Sequence, residues 1–127
     1  MDETTFTVHD RIFRDDGLVP NNSKLPLLIY PAAVAVTIAR PEQAFLGLFA
    51  SNGWGGGWID SIYPFQHYHS NAHEVLGIAQ GTASVQFGGP NGPVMGVRAG
   101  DVVIIPAGVG HCLKEQSDDL SVVGAYP

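Results

Sequence analysis

From Trp54 to the end of the chain, short apolar runs alternate with glycine-rich turns, and this punctuation constrains the fold more than any other feature. Ala83-Ser84-Val85-Gln86-Phe87 alternates with the period of a half-buried strand, and Gly88-Gly89-Pro90-Asn91-Gly92-Pro93 turns the chain. Val94 to Arg98 returns, Ala99-Gly100-Asp101 turns again, and Val102 to Ile105 is apolar throughout. After the turn Pro106-Ala107-Gly108-Val109-Gly110, the runs His111 to Glu115 and Leu120 to Tyr126 close the series. Many short strands joined by tight turns predict an all-β protein, a sandwich or jelly-roll barrel.

The first half is less regular. Residues 4–13 hold Phe6, Val8, Ile12 and Phe13, enough for a first strand or arm, and Leu27-Leu28-Ile29-Tyr30 predicts a short strand. Val34 to Ile38 is ambiguous between strand and helix. Residues 41–52 predict a short helix: Pro41 suits the first position, Glu42 the first turn, and Ala44, Phe45, Leu48 and Phe49 recur at helical spacing before Asn52-Gly53 stops it. The chain reads as one domain over 1–127, with strands and helix in 1–53 and the barrel in 54–127. A chain of 127 residues suits one domain with a real core. Six basic residues against twelve acidic ones, with the basic ones scattered, argue against nucleic acid and against an anionic membrane surface. The single Cys112 excludes an intrachain disulfide, and Met1-Asp2-Glu3 lacks a signal-peptide pattern, so a cytoplasmic location is expected.

Four of the five histidines fall in the β half: His67, His69, His73 and His111. On a strand, residues two apart share a face, so His67 and His69 are expected to project together, with Tyr63 and Phe65 in the same phase. Glu74 follows after Ser70-Asn71-Ala72 can turn the chain, and His111 arrives from a later strand. Three imidazoles and a carboxylate suit a divalent transition metal, whether iron, manganese, nickel, copper or zinc, and leave a position open for water, substrate or dioxygen. His73 is the alternative ligand. Because neighbours 73 and 74 point to opposite faces, Glu74, which shares its face with Leu76 and Ile78, is preferred, leaving His73 to support the site from behind or to face an interface.

These spacings resemble the two cupin motifs. His67, His69, Glu74 and Gly81 match the first, His-x-His with Glu after three or four residues and Gly six beyond; Gly100, Pro106, Gly108 and His111 match the second. The string from His67 to Gly77, with Pro106 to Cys112, looks more narrowly like the YjlB-type cupins. The resemblance implies a cupin-type jelly-roll β-barrel, a metal on His67, His69, Glu74 and His111, and pairing as a homodimer, with which the low charged fraction of 14% agrees. Two positions depart from the family pattern: Ser61 stands where the first motif opens with Gly, and Glu115 where the second often ends in Asn. The chain also ends at Tyr126-Pro127, where relatives are expected to continue.

Glu115 shares strand phase with His111, which makes it a candidate acid–base group, and Tyr63, Phe65, Val85 and Phe87 are the expected substrate pocket. Cys112 has the opposite phase to His111 and reads as a small buried apolar residue, Asp101 as a turn former, and Trp54 and Trp58 as packing residues. The favoured function is a metalloenzyme of oxygenase or isomerase type acting on a small organic molecule. The alternative is a non-enzymatic, metal-dependent binder of a small ligand.

Overall fold

The computed structural model describes residues 8–36 and 39–127. Among the described residues, nine strands and one helix follow in the order β1 (His9–Phe13), β2 (Asn22–Tyr30), α1 (Pro41–Ser51), β3 (Gly55–Asp60), β4 (Glu74–Gln80), β5 (Thr82–Phe87), β6 (Val94–Arg98), β7 (Val102–Ile105), β8 (His111–Gln116) and β9 (Ser121–Tyr126). They build two antiparallel sheets, a six-stranded one in the order β1-β2-β7-β4-β9-β3 and a three-stranded one in the order β6-β5-β8. The all-β jelly-roll architecture with one short helix in the N-terminal half is therefore present. Phe6 and the other residues of the N-terminal arm up to Thr7, and Ile38 at the end of the ambiguous segment, lie outside the described residues, and Val34 to Val36 form neither strand nor helix.

Strand parity decides which face each side chain joins. On β4, Leu76 and Ile78 point between the sheets with Val85, Phe87, Val103, Ile105 and Val122, all nearly or fully buried. Val75 and Ala79, of the other parity, point to the opposite face, where Phe45 and Phe49 of the helix cover them. The central strands of the six-stranded sheet are thus buried on both sides, which explains why β4 and β7 are almost wholly apolar. Pro41 starts the helix as expected, and Gly53, with φ of +85°, follows its C-cap Asn52.

Two polar side chains hold the loops at either end. Asn21, itself at φ +54°, is buried; its amide donates to the carbonyls of Arg14 and Gly88 and accepts from the N–H of Gly110. Gly108 adopts φ +91° against the Asn21 backbone, where a Cβ would collide with the carbonyl. Together they fix the turn that delivers His111. Asp101 serves its turn as expected, accepting from the N–H groups of Ala32 and Arg98.

Candidate metal centre

The ligand-type residues come from three places. Glu74 opens β4, His111 opens β8, and His67 and His69 lie in the segment 61–73, of which residues 63–69 were expected on a strand. That segment is irregular, with one isolated bridge between His67 and His111. It is nevertheless pinned alongside β8: His67 and His111 exchange backbone hydrogen bonds of 3.2 and 2.9 Å, the Leu113 N–H donates to the Tyr63 carbonyl, and the Gly108 N–H donates to the His69 carbonyl. Parity along a strand does not apply here, but the backbone ladder delivers the same two imidazoles to the same side.

The nitrogens of His67, His69 and His111 lie within 4.8 Å of one another. Their orientation follows from the second ring nitrogen. Nδ1–H of His67 donates to the Phe65 carbonyl at 3.0 Å, and Nδ1–H of His111 donates to the Val109 carbonyl at 3.1 Å. A proton on Nδ1 leaves Nε2 as a bare lone pair, the tautomer that a metal ligand needs. His111 Nε2 is buried and has no hydrogen-bond partner. Its nearest polar neighbour is Glu74 Oε1 at 3.4 Å, and His69 Nε2 lies 3.5 Å from the same oxygen. With Nδ1 protonated in the neutral ring, the His111 lone pair faces a carboxylate across a gap without a proton of its own to share, an arrangement that a cation would satisfy.

Glu74 is buried, and burial alone would push its carboxyl up. Contacts from His111 and from the Tyr126 hydroxyl, with the imidazoles of His111 and His69 nearby, prevail and hold it below the usual range. The Tyr126 phenol is raised in turn by burial and by Glu74, against a hydrogen bond from Trp58. His67 is pushed down by burial and by His111, so its neutral form is favoured. These groups open into a cavity of about 270 Å³ whose walls include Trp58, Ile62, Tyr63, Leu76 and Tyr126.

Two comparisons identify the fold family. The family model described as "Cupin" matches residues 61–125, and a protein of Bacillus subtilis (strain 168), "Uncharacterized protein YjlB", is 43% identical over 115 residues, 91% of this chain and 67% of the relative. The chain is a cupin. Among solved structures, acireductone dioxygenase from Bacillus anthracis with a cadmium ion in its active centre is 18% identical with a TM-score of 0.46, covering 66% of this cupin and 57% of that chain. A "duf861 family protein" from Thermotoga maritima is 21% identical with a TM-score of 0.41, covering 69% and 92%.

Several candidate residues of this cupin lie elsewhere than expected. Glu115 is exposed and lines a separate groove with Ser84, Arg98 and Gln116. The physical reason is a bulge: Val85 pairs with Leu113 but Ser84 pairs with Glu115, so the extra residue Lys114 shifts the parity between His111 and Glu115. Val85 and Phe87 face the interior as their phase requires, but they are fully buried in the packed core and do not reach the cavity. Tyr63 lines it; Phe65 stacks on Tyr63 with ring centroids 5.0 Å apart and remains largely exposed. His73 points away from the cluster, and its Nδ1 accepts the Ala107 N–H at 2.9 Å, holding the turn before His111 from behind. Cys112 is buried, as its phase implied.

The sequence reading missed Tyr126 and preferred packing for Trp58 over a place at a pocket mouth. Tyr126 sits one step beyond the Val75–Ala125 pair of β4 and β9, which sets it beside Glu74. Its phase with Val122 and Gly124 was legible in the sequence, but the register that aligns it with Glu74 was not.

Proposed function

We propose that this cupin binds one divalent transition metal through His67, His69, Glu74 and His111. We propose further that it is an enzyme of the oxygenase or isomerase type acting on a small organic molecule. One observation carries the reading: the bare Nε2 of buried His111 faces the Glu74 carboxylate with no hydrogen-bond partner, in a cavity two of whose wall residues, Ile59 and Tyr63, are exposed. A sealed shell would suit a structural ion, whereas an accessible one suits chemistry.

A bound ion would supply Lewis acidity or a redox centre. The chain's own residues supply the rest. The carbonyls of Phe65 and Val109 orient two imidazoles, and Tyr126 steadies the carboxylate. Ile62 and Leu76 give the cavity an apolar floor that excludes bulk water and strengthens the polar contacts above it. The Tyr126 hydroxyl lies beside Glu74 in that wall, placed to hold a proton beside a bound molecule.

The test is reconstitution of metal-free protein with iron, manganese, nickel and zinc in turn. Each form is assayed for oxygen consumption and for isomerisation across a broad panel of small organic molecules. Metal-dependent turnover that disappears in His111→Ala is expected. Inertness of every loaded form would reject the enzyme and leave a metal-dependent ligand binder.

A further inference from the structure

The chain has six cationic side chains, Arg11, Arg14, Lys24, Arg40, Arg98 and Lys114, all among the described residues, and none lines the cavity of the metal centre. The Arg11 guanidinium lies over the Phe13 ring, 5.2 Å from its centroid. Arg98 lines the separate groove that also holds Glu115. The other four are exposed elsewhere: Arg14 after β1, Lys24 on β2, Arg40 before the helix and Lys114 at the bulge of β8. The charged side chains that do line the cavity, apart from its histidines, are Glu74 on its floor and Asp60, exposed at the end of β3.

Carboxylate and phosphate groups are held in protein sites by arginine forks, lysine ammonium groups or clustered N–H donors. Here an anionic substituent beyond the ion would leave its water for a wall of indole, phenol and aliphatic side chains, without a compensating charge. The faces of Trp58, Tyr63 and Tyr126 carry partial negative charge, which repels anions and attracts cations. Glu74 cancels half the charge of a divalent ion, and Asp60 adds a further negative charge at the cavity. The volume of about 270 Å³ lies just below the usual range for drug-sized ligands, so it suits a single ring or a short chain.

We infer that the substrate is a small uncharged molecule, and that the cavity selects against carboxylate- and phosphate-bearing ones. It would meet the ion through neutral hydroxyl or carbonyl oxygens and rest its ring or hydrocarbon part against Trp58 and Tyr63. The inference rests on the metal-site reading above and deepens it.

Three catechols that differ only in the charge of one substituent test it: 4-methylcatechol, 3,4-dihydroxybenzoate and 3,4-dihydroxybenzylamine. Each is titrated at low ionic strength into protein loaded with cobalt(II). The visible spectrum of the ion reports binding, and elemental analysis afterwards confirms that cobalt is retained. The benzoate should bind at least about tenfold more weakly than 4-methylcatechol, the amine at least as tightly, and the spread should shrink in high salt. Ile59→Arg, which brings a cation to an exposed wall position, should narrow or reverse the order. Benzoate binding as tight as that of 4-methylcatechol in the wild type overturns the inference while leaving the metal site intact. So does the absence of a spectral change with all three. Failure to load cobalt, or loading unchanged by both His67→Ala and His111→Ala, is a different result: it removes the metal site and the inference with it.

Discussion

Gly124→Ala tests whether the tryptophan wall of the cavity is held by close packing on β9. A Cβ built on Gly124 would sit 2.6 Å from Trp58 Nε1 and closer still to two carbons of the indole. Carbon atoms rest about 3.5–4.0 Å apart, so the ring must slide by more than an ångström. Overpacking of this kind costs roughly 1–3 kcal/mol. With an unfolding entropy near 2.1 cal/mol/K per residue, this chain has a ΔS at Tm of roughly 0.27 kcal/mol/K, so a loss of about 3 kcal/mol lowers Tm by about 11 °C. Calorimetry of metal-free protein measures the shift, and a double-mutant cycle assigns it. In a Trp58→Ala background the ring is gone, and Gly124→Ala should then cost less than about 1 kcal/mol. An unchanged Tm in the single variant, or an equal loss in both backgrounds, would refute the packing argument.

Three further outcomes follow from the geometry. Tyr126→Phe removes the hydroxyl that contacts Glu74 and should weaken metal affinity about tenfold, read by competition with a chromophoric chelator, while Tm changes little. The Glu74 carboxyl is held below 4.5 in the fold, so its stabilising contribution is present above the unfolded value and is lost as pH falls through the folded one; the His67 imidazole is held below 6.5, so stability is already lost as the unfolded chain takes up its proton below that pH. Urea midpoints of metal-free protein should therefore fall from about pH 7 to about pH 4, with His67→Gln flattening the upper part of that limb and Glu74→Gln the lower. Asn21→Ala strips partners from two carbonyls and the Gly110 N–H and leaves alanine at positive φ, which should cost roughly 2–4 kcal/mol in urea unfolding.

The legible part of this molecule was the part governed by local periodicity. Strands β4 to β9 were readable as short alternating or wholly apolar runs between turns that carry glycine, proline or aspartate. The helix was readable from Pro41 and the spacing of Phe45 and Phe49. Strand β3 is not legible locally, because three consecutive glycines, Gly55 to Gly57, weaken any strand signal; pairing with β9 supplies what the propensity lacks. Parity arguments failed wherever the backbone leaves regular geometry. The bulge opposite Ser84 and Val85 turns Glu115 outward, and in the irregular run 61–73 Tyr63 lines the cavity with the histidines while Phe65, stacked on Tyr63, does not. Val85 and Phe87 show a different limit: phase tells which face a side chain joins, not how deep along that face a cavity reaches. Tyr126 required the β4–β9 register, a long-range quantity that no local pattern encodes.

The central claim is that His67, His69, Glu74 and His111 hold one metal ion. Elemental analysis of freshly purified wild-type protein, beside His67→Ala and His111→Ala prepared identically, tests it most directly. The account predicts close to one transition-metal ion per chain in the wild type and a sharp loss in both variants. No bound ion in the wild type even after reloading, or the same metal content in all three proteins, would contradict it.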